Sequence, residues 1–253
     1  MGQTQRLLLI TLLGCLAAQA RAAEAPHWGY EGETGPSTWG SLDPAWSLCA
    51  SGRNQSPIDI TGTIEAELAP LELYPEFTAR MLINTGETEQ AVSDQEDVLY
   101  LDGAAYPLVQ MHFHAPSENR IEGRQFPLEA HLVHANSAGD LAVVAVLFET
   151  GAANQGLVDL GDQADGRSVW PERPGMQSKI DVTFPTADLL PANRDYYLFS
   201  GSLTTPPCTE GVRWLVLKTP ATASSAQISA VAAAIGVSNN RPVQPLNARV
   251  ILR

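Results

Sequence analysis

Between residues 26 and 253 the apolar positions fall into short runs punctuated by proline, glycine and polar clusters, the pattern of strands joined by turns and loops. The runs 68–77, 97–101, 108–114, 128–134, 141–148 and 212–217 are the predicted strands. Residues 141–148 (LAVVAVLF) are apolar on both parities, which predicts a central strand covered on both faces. Residues 108–114 alternate instead, with Val109, Met111 and Phe113 on one parity and Gln110, His112 and His114 on the other. A single segment, 224–235, carries Ala and apolar residues at helical spacing before Gly236 and predicts a helix. No repeat, charge block or low-complexity linker divides the region. The expectation is one mainly β domain with minor helices.

The first residues follow another pattern. Arg6 precedes the apolar run Leu7–Ala18, and small residues follow at Ala20 and Ala22, the layout of a secretory signal peptide. The run is too short to span a bilayer, and no other stretch approaches that length, so no transmembrane segment is expected. Residues 1–22 are read as the signal and residues 23–253 as the domain, placed in the periplasm or secreted. An N-terminal core helix is the competing reading. Leu12-Leu13-Gly14-Cys15 loosely resembles a lipoprotein cleavage box, although the apolar run continues past Cys15.

Export sharpens the cysteine count. Cys15 leaves with the signal, so Cys49 and Cys208 remain as an even pair in an oxidising compartment, either bridged or as two free thiols. A bridge would close a loop of about 160 residues, for which chain entropy gives about 4–5 kcal/mol.

Composition narrows the function classes. The chain has 253 residues, 44% of them hydrophobic, with 15 basic against 28 acidic side chains and a net charge of −13. Loss of residues 1–22 removes Arg6 and Arg21 and no acid, leaving −15. Such a surface repels phosphate backbones, so no nucleic-acid partner is expected. No phosphate-binding glycine loop is present. Asp159, Asp162 and Asp165 lack EF-hand spacing and read as a solvated acidic loop.

Chemistry concentrates elsewhere. Of five histidines, four fall within 23 residues. His112 and His114 share one strand face, and in 128–134 the residues Glu129, His131 and Val133 share another. Fourteen residues, including Pro116, Gly123 and Pro127, separate His114 from Glu129, enough to return the chain antiparallel and bring His131 to His112 and His114. Three neutral imidazoles form the ligand set of an open catalytic zinc site, with water in the fourth position. Gln110 and Glu129 lie one strand step from His112 and His131, where they can hold the second ring nitrogens. His134 has the opposite parity and is expected to face away, buried and hydrogen-bonded. His27 reads as an isolated surface residue.

These motifs together resemble the α-class carbonic anhydrases. The resemblance runs from Trp28-Gly29-Tyr30, Gly35-Pro36 and Asn54–Asp59 (NQSPID), through Gln110–Glu118 and Glu129–His134, to Gly201–Cys208 (GSLTTPPC) and Asn239–Leu246 (NNRPVQPL). It implies a large, mostly antiparallel central sheet with short peripheral helices, and zinc-dependent reversible hydration of carbon dioxide to bicarbonate by attack of zinc-bound hydroxide. His112, His114 and His131 would bind zinc, with Gln110 and Glu129 as their supports. Thr204 would accept a hydrogen bond from the hydroxide and pass its own proton to Glu118. Thr205 would neighbour bicarbonate, while Val133, Val143, Leu203, Val212 and Trp214 would form the apolar wall for carbon dioxide. Tyr30 would order water. The resemblance also implies a Cys49–Cys208 disulfide, independently of the cysteine count.

Three positions depart from the family pattern. Glu87 stands where fast members carry a proton-shuttling histidine. A solvated carboxylate is a weak base beside water of pKa about 7, so slower, buffer-dependent turnover is expected. Asn119 stands where a histidine supports the site, and Phe199 replaces a tyrosine. The rival reading is a binding module that keeps the fold without activity; such relatives typically lose a zinc histidine, and all three are present. A zinc hydrolase reading lacks the H-E-x-x-H helix. Monomer and homodimer both remain open.

Overall fold

The computed structural model describes residues 26–73, 76–93, 97–161 and 170–253. The expected signal with Cys15, and Asp162 and Asp165, lie outside these residues. Asp159 ends up on a helix rather than a loop. The described strands are β1 (Asp59–Ile60), β2 (Glu72–Leu73), β3 (Glu76–Asn84), β4 (Glu89–Ser93), β5 (Val98–Leu101), β6 (Ala104–His114), β7 (Arg120–Ile121), β8 (Leu128–Ala135), β9 (Leu141–Thr150), β10 (Gln177–Pro185), β11 (Tyr196–Ser202), β12 (Glu210–Leu217) and β13 (Ala221–Ala223). The helices are short: α1 (Trp39–Leu42), α2 (Leu48–Ser51), α3 (Gln155–Gly161) and α4 (Ser225–Ile235).

Eleven strands form one sheet with the main order β10-β3-β4-β6-β8-β9-β12-β11; off this path β5 pairs with β6 and carries β2 on its other side, and β13 pairs with β9. Its pairs are antiparallel except β12–β9 and β13–β9. The expected large, mostly antiparallel sheet with small helices is therefore present. β1 and β7 pair in parallel outside it.

β9 explains why the sheet is covered on both faces. Ala142, Val144, Val146 and Phe148 enter one apolar cluster with Leu82, Met111, Leu132 and Leu215. Val143, Ala145 and Leu147 enter a second with Val133, Val212, Trp214 and Val216. Both parities are buried, as the apolar run requires. α4 covers the first cluster with Val231, Ala234 and Ile235. Its start is fixed by a reciprocal cap, in which Ser224 Oγ accepts from Gln227 N and Gln227 Oε1 accepts from Ser224 N, and Gly236 ends it at φ 79°.

The expected strand 68–77 is broken. Only β2 and the start of β3 fall in it, and Leu68 and Leu71 pack against the larger cluster without joining a strand. β4 (EQAVS), β10 (QSKIDVTFP) and β11 (YYLFSGS) were not expected, since each mixes polar residues into positions that alternation would make apolar. Cys49 and Cys208 form a disulfide with Cα atoms 5.0 Å apart, tying α2 to the loop between β11 and β12. Gly201 allows β11 to approach that region, because a Cβ there would collide with the Ser56 hydroxyl and the Trp214 indole. No described helix is long and apolar enough to cross a membrane.

Candidate metal centre

β6 and β8 pair so that His112 stands opposite His131. A register irregularity between Leu108 and Gln110 sets the parity that follows, and Gln110, His112 and His114 share the face of His131 and Val133. The imidazole centroids are separated by 5.0 Å (His112–His114), 5.1 Å (His112–His131) and 4.5 Å (His114–His131). One ring nitrogen from each lies within 4.8 Å of the other two.

The opposite nitrogen of every ring is already engaged. His112 Nδ1 donates to Gln110 Oε1 at 2.9 Å, His131 Nε2 to Glu129 Oε1 at 2.9 Å, and His114 Nδ1 to the Asn239 carbonyl at 2.7 Å. These bonds fix the tautomers and leave one lone pair per ring for the centre. Burial lowers the pKa of all three rings, and neighbouring imidazoles lower those of His112 and His131 further, so the rings are neutral as metal ligation requires. His114 Nε2 is buried without a hydrogen-bond partner, 3.4 Å from Glu118 Oε2, which is also unpartnered. Orphaned acceptors in a neutral three-histidine pocket fit a divalent metal ion.

Glu129 is held by four N–H groups. Besides His131, it accepts from Glu118 N (2.7 Å), Asn119 N (2.8 Å) and Asn119 Nδ2 (2.7 Å). Burial pushes its carboxyl up, whereas these donors favour the anion; because they occupy the oxygens, the carboxylate form is the one that satisfies them. Asn119 thus supplies the support that its departure from the family pattern put in question, and its Oδ1 also accepts from Ile58 N at 3.2 Å.

Glu118 is buried between the histidines and the β11–β12 loop. Its Oε1 accepts from Arg241 N at 2.8 Å. Burial drives its pKa well up, against the pull of Thr204 and Arg241. Thr204 is buried and Thr205 partly exposed. Val133, Val143, Val212 and Trp214 belong to one apolar cluster with Leu203 packed on it, and the Trp214 ring lies 4.9 Å from that of His131. Phe199 joins this cluster, stacked on Trp214 with centroids 6.1 Å apart.

Tyr30 packs edge-on against Trp28 and Trp39. Burial raises its pKa well above 10, and the charges of Glu118 and Glu87 add to that. Glu87 sits in the β3–β4 turn, where Gly86 adopts φ 96° and the Glu87 carbonyl accepts from Asn239 Nδ2 at 2.9 Å. Glu87 is part of the rim and not of the histidine cluster. His134 faces away: its Nδ1 donates to the Leu132 carbonyl at 2.9 Å, and burial lowers its pKa to about 4.

Sequence reasoning assigned no role to Asn239 or Arg241. The Asn239 contribution to His114 is a backbone carbonyl, which no side-chain pattern encodes. Arg241 is buried and donates to Gln55 Oε1 (2.9 Å) and to the Ser56 (2.8 Å) and Cys49 (3.0 Å) carbonyls, bracing the segment that carries its own N–H to Glu118. The available signal was an arginine within the Asn239–Leu246 segment that carries part of the family resemblance.

Fold and site together define a β-sheet protein with a cluster of three histidines that could hold a metal ion. The eukaryotic-type carbonic anhydrase family model matches residues 34–253. The carbonic anhydrase of Pectobacterium carotovorum is 46% identical over 247 residues, 97% of this chain and 98% of that protein. Among solved structures, the α-carbonic anhydrase of Thermovibrio ammonificans in complex with sulfanilamide superposes with a TM-score of 0.84 at 42% identity, covering 91% of this chain and all of that one. The Photobacterium profundum α-carbonic anhydrase gives 0.81 at 47% identity, covering 90% and 100%. The chain belongs to the α-class, eukaryotic-type carbonic anhydrase family of enzymes.

Proposed function

We propose that the chain binds zinc through His112, His114 and His131 and catalyses the reversible hydration of carbon dioxide to bicarbonate and a proton. The observation that carries this reading is the convergence of three neutral imidazoles, each with its second nitrogen engaged and one lone pair left for the centre. When bound, zinc supplies a nucleophile at neutral pH by lowering the pKa of its water to about 7, as it does in carbonic anhydrase.

The residues around it orient and exclude. In keeping with the family resemblance, Thr204 donates to Glu118 in the loaded site, so its hydroxyl offers lone pairs, not a proton, to water there. Leu203, Val133, Val143, Val212 and Trp214 hold the uncharged substrate against an apolar wall, and Thr205 neighbours the bicarbonate. Gln110 and Glu129 keep the imidazoles in place, and Tyr30, held protonated, orders water. Glu87 is the group at the mouth through which a proton leaves, and as a carboxylate it makes that step slow without buffer. A neutral substrate needs no electrostatic steering, so a net charge of −13 does not oppose its entry. Cleavage of residues 1–22 and export to the periplasm or beyond suit a chain that carries a Cys49–Cys208 disulfide.

The test is carbon dioxide hydration by the purified protein before and after chelation, beside His112→Ala. Zinc-restored activity that His112→Ala abolishes is expected. Zinc-loaded protein no faster than buffer would leave the binding-module reading in its place. Added imidazole buffer should raise turnover; turnover already high and indifferent to buffer contradicts the role given to Glu87.

A further inference from the structure

β4 pairs with β6 from Val92–Gln110 to Gln90–His112, and the ladder stops there. Phe113, the next residue of β6, lies between two of the clustered histidines: its N–H belongs to the peptide unit shared with His112 and its C=O to the one shared with His114. Phe113 is fully buried, so both groups need partners inside the protein. They find them in side chains. Phe113 N donates to Thr88 Oγ1 at 3.2 Å, and Thr88 Oγ1 donates to Phe113 O at 2.5 Å. One hydroxyl thus acts as acceptor and donor to the same residue, as the main chain of a facing strand residue would. Asn239 closes the other side. Its Nδ2 donates to Phe113 O and Glu87 O, both at 2.9 Å, and its Oδ1 accepts from Ala115 N at 2.9 Å, while its own carbonyl accepts from His114 Nδ1. Thr88 is in turn fixed by the tight turn that carries it. Thr85 N donates to Thr88 O at 3.0 Å and Thr88 N to Thr85 Oγ1 at 3.1 Å, and Asn84 Oδ1 accepts from Gly86 N at 2.9 Å.

We propose that Thr88 is a positioning residue for the histidine cluster: its hydroxyl holds the main chain between His112 and His114 and so governs how fast a bound zinc ion is released. For a ring to leave the centre, either its own side-chain torsions or the peptide units that carry it must turn. The bonds to Gln110 and to the Asn239 carbonyl restrain the rings of His112 and His114. Thr88 and the Asn239 side chain restrain the peptide units. Thr88→Val, of nearly the same shape, would leave the Phe113 N–H buried without a partner, and a shift of this part of β6 would relieve that. Asn239 keeps its bond to the Phe113 carbonyl in such a variant, so the support is weakened and not removed. The β3–β4 turn is therefore a prop for the cluster as well as its rim.

This inference rests on the proposed zinc binding, and its test keeps the two apart. Release of zinc from the full chain into excess chelator is timed directly and needs no turnover. Thr88→Val should release zinc about tenfold faster than wild type, at the lower end of the effect of losing an outer support. Thr88→Ser keeps the hydroxyl and should stay within about twofold of wild type. Thr78→Val is the comparison for simple destabilisation. It too loses a hydroxyl bond inside the sheet, to Thr183 Oγ1 at 3.1 Å, but lies on β3, which pairs with β10 and β4 and not with β6. Its release rate should match wild type. Equal rates for Thr88→Val and wild type overturn the proposal. Acceleration of the same size in Thr78→Val also overturns it, because the cause would then be general loosening of the sheet. If Thr88→Ser releases zinc as fast as Thr88→Val, the methyl group and not the hydroxyl is responsible, and the proposal falls. Wild-type protein that takes up no zinc overturns the metal reading and the positioning role with it.

Discussion

His131 and His134 stand three residues apart on β8, both buried and both held neutral by burial, yet only one joins the three-histidine cluster. His131 points to the face shared with His112 and His114 and gives Nε2 to a carboxylate. His134 points into the opposite face and gives Nδ1 to the carbonyl of Leu132, leaving Nε2 buried without a partner. The same contrast recurs on β4. Gln90 stands opposite His112 on the site face, while Glu89, one residue earlier, points the other way, buried with both carboxylate oxygens unpartnered. Burial and residue type are thus shared across the sheet; parity decides which groups become chemistry and which become costs to stability.

The largest effect should come from substituting the two histidines in parallel. His131→Ala is expected to lose bound zinc and at least about a thousandfold in carbon dioxide hydration, since an open site cannot spare one of three ligands. His134→Ala should keep one zinc per chain by elemental analysis. Zinc loss in both variants to the same degree would erase the distinction.

Next is the pH dependence that His134 imposes. Its folded pKa of about 4 lies below the ordinary value of 6.5, so its contribution is complete above 6.5 and is lost as pH falls through 4, amounting to about 3 kcal/mol. Denaturant unfolding of His134→Phe should show a shallower loss between pH 6.5 and 4 than wild type. Parallel curves would contradict a neutral buried ring.

Glu89 should act with the opposite sign. Burial raises its pKa from 4.5 to about 7, so the folded state favours the proton and stability declines as pH rises from 4.5 through 7. Glu89→Gln is expected to gain about 2 kcal/mol at pH 8 and little at pH 4.5. An equal change at both pH values would mean that the carboxyl does not titrate in the fold.

The smallest effect belongs to a support rather than a ligand. Glu129→Gln keeps a hydrogen-bond acceptor for His131 but loses the charge and turns one oxygen toward donors as an amide. Zinc affinity, measured by competition with a chelator, should weaken at least tenfold, about 1.4 kcal/mol. Unchanged affinity would show that the ring is positioned by packing alone.

What could be read from the chain follows the same rule of parity. β6, β8 and β9 have alternating or doubly apolar patterns, and with them the histidine cluster, Gln110 and Glu129 were legible before any coordinates, whereas the apolar wall was implied only by the family resemblance. The helix at 224–235 was legible through the helical spacing of its Ala and apolar residues before Gly236. β4, β10 and β11 were not, because their polar residues sit beside loops or partner strands that hydrophobic periodicity does not register. The hold on His114 was hidden for another reason: it comes from the main chain at Asn239, 125 residues away. The value of Asn119 emerges only from its amide reaching Glu129.

X-ray absorption on the zinc-loaded protein tests the centre most directly. The account predicts three imidazole nitrogens and one further light atom, all at about 2.0 Å from zinc. A sulfur shell at about 2.3 Å, or fewer than three imidazoles, would contradict it.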